Sequence, residues 1–151
     1  MRFIAHRGNI NKKIEELENT HEYIFAAISK GYDVEIDVWV YNNDFYLGHN
    51  FPKIKTDLQW MIELSENLWI HAKNISALTS ILSHKCLNCF MHDTDVAVLT
   101  SHGYIWQYPG VQYETSKSII VKPELSNIKE DLFGVAGICS DNIEVYRRLY
   151  E

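Results

Sequence analysis

The chain has 151 residues, enough for one domain with its own core and too few for two. Its 46% hydrophobic and 23% charged residues are ordinary for a globular protein, with aromatic content raised by four Trp, nine Tyr and six Phe. A formal charge of −6 without a Lys/Arg cluster argues against a nucleic-acid partner, because phosphate neutralisation needs clustered cations.

No apolar run approaches a membrane span, and "MRFIAHRG" is charged too early for a signal peptide. Cys86, Cys89 and Cys139 are odd in number, and the "CLNC" spacing lacks the second pair of a structural zinc site. Buried, reduced thiols and a cytoplasmic protein are the expectation.

In chain order, "RFIAHRG" predicts a strand stopping at Gly8. Asn19 or Thr20 then caps a helix over "HEYIFAAISKG", whose apolar residues recur at helical spacing up to Gly31. "DVEIDVWVYNNDFYLGHN" predicts a strand, an Asn-Asn-Asp turn and a return arm. "TDLQWMIELSEN" reads as a capped helix, "LWIHAKN" as a strand, "SALTSILSHK" as a helix and "CLNCFMH" as a strand. "TDVAVLTSHG" reads as a short helix closed by Gly103, "YIWQYPG" as extended, and "KSIIVKPE" as a strand ended by Pro123. "GVAGICSD" is a further strand and "NIEVYRRLYE" a closing helix.

Strands alternating with helices predict βα units and a mainly parallel sheet. About seven strands point to a TIM-type (β/α) barrel over residues 1–151, shortened or incomplete and with reduced helices, since ordinary barrels run to about 250 residues. The rival is an open doubly wound sheet, which would normally carry a glycine-rich first turn; no G-x-G-x-x-G follows the first strand.

Alternation on a strand puts Glu35, Asp37 and Trp39 on one face and Val34, Ile36 and Val38 on the other. Two carboxylates facing a low-dielectric interior repel unless a cation lies between them, and a hard divalent ion with oxygen ligands answers that need. Alternatively, both face solvent. The company favours a site: His6 and Arg7 end the first strand, His49 ends the return arm, and His71 and Lys73 share a face of the next strand. In a parallel βα architecture such strand ends converge on one rim.

"IAHRGN", then Glu18-Asn19-Thr20, then "GYDVEIDVWV", then "GHN" resembles the amino-terminal signature of the glycerophosphodiester phosphodiesterase family. "LWIHAKN" and "GVAGICSD" resemble later strands of that family, while the stretch from "CLNCF" to "VKPE" carries no specific likeness. The resemblance implies a barrel fold and metal-dependent cleavage of phosphodiesters. It implies His6 and His49 as the acid–base pair, Glu35 and Asp37 as metal ligands, and Arg7 and Lys73 as holders of the phosphate.

Two departures stand out. The metal expected is Mg2+ or Ca2+, with Mn2+ or Zn2+ as the alternative: His71 occupies the place of the family's third metal carboxylate, and an imidazole suits Zn2+ or Mn2+ better than Ca2+. Asp93 or Asp95 would supply the missing oxygen, unless Asp95 caps the following helix. Asn50 replaces the Asp of the family's G-H-D arm. Trp39 and Trp106 wall the site or fill the interior, and Tyr108 stacks on a headgroup or packs. Lys122 and Glu124 flank Pro123 at a strand end, Asp141 ends the last strand or caps the last helix, and His21, His84 and His102 read as surface residues.

The expectation is a metal-dependent phosphodiesterase acting on a small soluble diester, without a nucleic-acid partner and with self-association open to a helix-poor barrel. The alternatives are a metal-free phosphodiester lyase and a non-catalytic module that binds a phosphorylated ligand.

Overall fold

A computed structural model describes residues 1–108, 115–125 and 132–151. Pro109 and Gly110, the end of the expected extended segment "YIWQYPG", lie outside the described residues.

Strand β1 (Arg2–His6) leads to helix α1 (His21–Ser29), then β2 (Asp33–Tyr41), β3 (Asp44–Leu47) and β4 (Ile54–Thr56). Helix α2 (Leu58–Glu63), β5 (Leu68–Ala72), α3 (Ile75–Leu82) and β6 (Asn88–Phe90) follow. The chain continues through β7 (Ala97–Leu99), β8 (Ile105–Gln107), β9 (Ser118–Val121), a 3-10 turn at Pro123–Leu125, β10 (Gly137–Ser140) and α4 (Ile143–Tyr150). The first three helices start on side-chain caps: Thr20, Asp57 and Asn74 accept from the backbone N–H of Tyr23, Trp60 and Ala77. The β2–β3 hairpin turns on Asn42 and Asn43, both in the left-handed region that Asn tolerates (φ 49° and 65°).

The strands form one curled, mixed, ten-stranded half-barrel. Seven of them run parallel in the order β6-β5-β2-β1-β10-β9-β8. β7 pairs antiparallel with β8, and β3–β4 pair antiparallel beyond the upper half of β2. This corrects the expected TIM-type barrel. Helices lie between strands only from β1 to β6, and among the described residues the path from β6 to β10 carries a single 3-10 turn. No ladder among the described residues joins β6 to β7 or β8, so the described strands form an open sheet. A βαβ crossover takes about 30 residues or more, and 151 residues cannot supply eight of them.

The expected helix over "TDVAVLTSHG" is instead β7 and its turn. Val98 and its neighbours face Trp106 across an antiparallel ladder that a helix would forfeit. Asp95 therefore caps no helix.

The sheet separates two apolar layers. On the helix side, Val34, Ile36, Val38 and Ile70 pack with Ile24, Ala27, Ala77 and Ile81. On the concave side, Ile4, Trp69, Phe90, Trp106, Ile119, Val121 and Cys139 fill the interior. Phe90 stacks on Trp106 with ring centroids 4.4 Å apart, so aromatic packing spans the gap that no ladder bridges. Cys89 and Cys139 are buried free thiols as expected, whereas Cys86 is exposed. His21 is not a free surface residue: it reaches the Thr56 hydroxyl at 3.0 Å and sets its ring edge to Trp60. Among the described residues no helix is long and apolar enough to cross a membrane.

Candidate functional site

The concave face is apolar up to the carboxyl ends of the strands, where it turns polar. The alternation that sends Val34, Ile36 and Val38 to the helices sends Asp33, Glu35 and Asp37 inward. Asp33 is taken up at the far end by Arg2, Asn67 and the Trp69 indole N–H. Glu35 and Asp37 sit at the rim, beside His6 of β1 and His71 of β5 in the strand register. A pit of about 230 Å3 opens there, lined by His6, Arg7, Glu35, His49, His71, Lys73, His92, Asp93, Trp106, Tyr108 and Val121.

His6 is the best-oriented group. Its Nδ1 lies 2.6 Å from Asp141 Oδ1, and its Nε2 lies 3.9 Å from Glu35 Oε2. Asp141 also receives Asn9 Nδ2 at 2.8 Å and Lys122 Nζ at 2.9 Å. Burial pushes the Asp141 carboxyl up, but the His6 hydrogen bond and charge, with Lys122 and Asn9, hold it well below the usual carboxylate range. Asp141 does not cap α4; Asn142 occupies that position without a side-chain bond. The sequence placed Asp141 at a strand end but could not assign it to His6, which lies 135 residues away.

Asp37 is fully engaged. Asn19 Nδ2 and Arg7 Nε each reach Oδ2 at 2.9 Å, while His71 Nδ1 lies 3.0 Å and Lys73 Nζ 3.5 Å from Oδ1. Burial raises this carboxyl, and the His71 hydrogen bond with the charges of Arg7, His71 and Lys73 outweighs it, leaving the carboxyl strongly depressed. The Glu18-Asn19-Thr20 motif thus divides its labour. Thr20 caps α1, Asn19 clamps Asp37 through its side-chain amide and through the Asp37 N–H, and Glu18 holds Arg7 Nη1 and Asn9.

Glu35 is the opposite. It is 2% exposed, and one hydrogen bond from the described residues reaches its carboxylate, the Arg7 backbone N–H at 3.2 Å. His6 Nε2 and His71 Nδ1 each stand off at 3.9 Å. Burial and the charge of Asp37 push its carboxyl up, against the pull of His6, Arg7 and His71.

His49 arrives on the arm after β3. Gly48 sits at φ 146°, and a Cβ there would collide with the Phe51 carbonyl oxygen, so the arm folds tightly only with glycine. Trp39 Nε1 donates to the Gly48 carbonyl at 2.6 Å. Trp39 therefore fastens the arm that carries His49 and does not line the pit; Trp106 does. His49 is exposed, and burial and the charges of Arg7 and Lys73 lower its pKa against Asp37 and the neighbouring Asn50 side chain.

The far wall is a stack that the sequence left unassigned. His71, Phe90 and His92 form a triangle of near-parallel rings, with centroids 5.3 Å (His71–Phe90), 4.4 Å (His71–His92) and 6.3 Å (Phe90–His92) apart. His92 Nε2 is hydrogen-bonded to the Tyr108 hydroxyl. Burial and the neighbouring His71 bring His92 down to about 4, so it is neutral at pH 7, and burial with the charge of Glu35 pushes the Tyr108 phenol up. "MHDTD" drew attention to its carboxylates, but Asp93 and Asp95 are exposed and the histidine before them carries the contact. Glu124 of "VKPE" accepts from the Ser140 hydroxyl and the Asp141 N–H.

Three rim residues take the left-handed backbone conformation without being glycine: Arg7 (φ 54°), Asn19 (φ 60°) and Lys122 (φ 50°). Each such conformation costs about 1 kcal/mol or more and is retained only where the surroundings fix it. Here each turns a side chain onto a rim carboxylate.

Glu35, Asp37 and His71 offer two carboxylate oxygens and one imidazole nitrogen within 4.8 Å of one another. The buried and ion-paired groups are four carboxylates (Glu18, Glu35, Asp37, Asp141) against three cations (Arg7, Lys73, Lys122), a formal −1 with the imidazoles neutral, and exposed Asp93 on the pit lining adds a further negative charge. An under-bonded buried carboxylate beside a residual negative charge is what a divalent cation would relieve; within this set Glu35 offers free oxygen capacity, while Asp37 and His71 Nδ1 already pair with each other. The chain matches no family model, no curated protein and no solved structure.

Proposed function

We propose that the pit cleaves a small phosphodiester by acid–base catalysis between His6 and His49, in the manner of the glycerophosphodiester phosphodiesterases that the opening motifs resemble. The observation that carries this reading is the His6–Asp141 pair set against the under-bonded Glu35. Asp141 holds a proton on His6 Nδ1, which leaves Nε2 an acceptor facing the pit.

A hydroxyl of the substrate beside its phosphate gives its proton to His6 Nε2. The oxygen attacks phosphorus, the bond to the second alcohol breaks, and His49 hands that alkoxide a proton. The products are a cyclic phosphate and a free alcohol. Water activated in the reverse sense would open the ring to a monoester. Acid–base assistance of this kind contributes about 10²- to 10⁴-fold in rate. Lys73 approaches Asp37 only to 3.5 Å, and Arg7 Nη2 has no protein partner among the described residues, so both retain capacity for the phosphate oxygens.

Glu35, Asp37 and His71 would hold a divalent cation, which supplies charge neutralisation for the phosphate oxygens. Such an ion makes the site two charges more positive and so lowers the repulsion that an anionic diester would meet there. A nitrogen in the ligand set favours Mn2+ or Zn2+ over Mg2+ or Ca2+.

A second reading, a metal-free lyase, draws support from Asp37, whose oxygens are already engaged by Arg7 and Lys73. Phosphorus NMR on a panel of glycerophosphodiesters and sugar phosphodiesters, with each divalent ion and in chelator, separates the two. Metal-dependent release of a cyclic phosphate or a monoester is expected. Full activity in excess chelator would transfer the account to the lyase, and an inert protein across the panel would contradict both.

A further inference from the structure

We propose that the leaving alcohol of the substrate occupies a groove beside the pit and carries an anionic group of its own, a phosphomonoester or a carboxylate. This rests on the phosphodiesterase reading of the pit and names its substrate class.

A groove of about 380 Å3 lies next to the pit, and Arg7 and His49 line both. In phosphoryl transfer the attacking and leaving oxygens lie roughly in line through phosphorus. His6, the base, lines the pit and not the groove; His49, the acid, borders both. The alcohol that His49 protonates therefore departs on the groove side.

The charge of that groove runs against the rest of the molecule. The chain carries −6, yet the groove is lined by Arg7, Lys13 and Lys53 against Glu15 and Glu18, a formal +1. Glu18 is committed to Arg7 and Asn9. Glu15 meets Lys13 at 3.5 Å on the exposed surface, where such a pair contributes little. The Lys53 ammonium has no ion pair or hydrogen bond among the described residues.

Lys53 is nonetheless held in place. Its backbone N–H donates to the Leu47 carbonyl at 2.9 Å, and the turn passes so close that a Cβ at Gly48 would lie 3.1 Å from the Lys53 Cβ. Phe51, 60% exposed, stands on the same turn and lines the same groove, adding apolar surface to it. An alcohol with a carbon skeleton and a terminal anion meets both. A quaternary ammonium alcohol meets a cation, with Glu18 already taken.

The test compares kcat/KM for glycerophosphodiesters whose leaving alcohols are choline, glycerol and glycerol phosphate, in the wild type and in Lys53→Glu, with circular dichroism to establish that the variant is folded. The wild type is expected to prefer the anionic alcohol over choline by about tenfold or more, a preference that high salt erodes and that Lys53→Glu cuts by about tenfold. The ratio of two substrates on one protein cancels differences in active fraction. Cleavage of all three with a ratio that Lys53→Glu leaves unchanged would overturn the groove assignment while leaving the phosphodiesterase reading intact. If no diester is cleaved, that reading fails, and the groove is read directly by titrating glycerol 3-phosphate and following the amide signals of Phe51 and Lys53. Saturable shifts that weaken about tenfold in Lys53→Glu would support an anion subsite, and their absence in the wild type would overturn it.

Discussion

The rim at Asp37 and the pit wall at Glu35 are two residues apart on one strand face and are built in opposite ways. Asp37 is covered by Arg7, Lys73, His71 and Asn19, and burial is overcome. Glu35 is equally removed from solvent, but one backbone N–H reaches it, and it lines the pit. The difference separates two tasks. Asp37 organises the cations that hold the rim together, whereas Glu35 is a buried carboxylate with a single hydrogen bond from the described residues, the group that the proposed function assigns to a cation.

That contrast has its largest expected effect on stability. Asp37→Asn leaves Arg7 and Lys73 facing a neutral amide, and breaking a buried charge pair costs about 3–5 kcal/mol. Urea denaturation should show a loss of that order; an unchanged midpoint would place the cations on other partners. Glu35→Gln should do the reverse. A carboxyl whose folded pKa is raised loses stability as pH climbs from its unfolded value through the raised one, so at neutral pH the neutral amide is an advantage. In chelator Glu35→Gln should melt at or above the wild type, while cleavage falls by about a hundredfold or more. A variant that melts lower and still cleaves would exchange the roles of the two carboxylates.

The pH profile sharpens the site further. His49 must carry a proton to act as acid, and its pKa is lowered. The kcat/KM should therefore begin to fall below the ordinary histidine value of about 6.5 and continue falling as pH rises. His49→Gln should remove that limb together with most of the rate; a wild-type profile flat from pH 5 to 8, a window of about three units around that value, would exclude the assignment.

The smallest effect concerns the stacked wall. His92 titrates at about 4 in the folded chain and at about 6.5 when unfolded, so the unfolded state takes up the proton first as pH falls. Stability contributed by neutral His92 is present above about 6.5 and is lost progressively towards about 4. His92→Phe should make the decline of melting temperature across that window shallower. An unaltered slope would show that His92 protonates without disturbing the stack.

Much of the rim was legible because strand alternation fixes which residues share a face. Glu35, Asp37 and Trp39, and the end positions of His6, Arg7, His71 and Lys73, follow from it directly. What alternation cannot supply is the partner on a strand distant in sequence. Asp141 meets His6 through the pairing of the first strand with the last, and Tyr108 meets His92 through aromatic packing across an unpaired gap. Alternating segments point to a shortened or incomplete TIM-type barrel, which the strand-rich half-barrel replaces. A short apolar run such as "VAVL" has no period of its own, and the neighbouring strand decided its conformation. Arg7 and Lys73 were read as phosphate holders alone, because their commitment to Asp37 depends on side-chain reach that spacing does not report.

The most direct test of the central claim is Mn2+ binding, followed by electron paramagnetic resonance, in the wild type and in Glu35→Gln. The account predicts one saturable Mn2+ site in the wild type and its loss in Glu35→Gln with the fold intact. A wild type that binds no Mn2+, or a variant that binds it as tightly, would contradict the assignment of Glu35 as the carboxylate waiting for a cation.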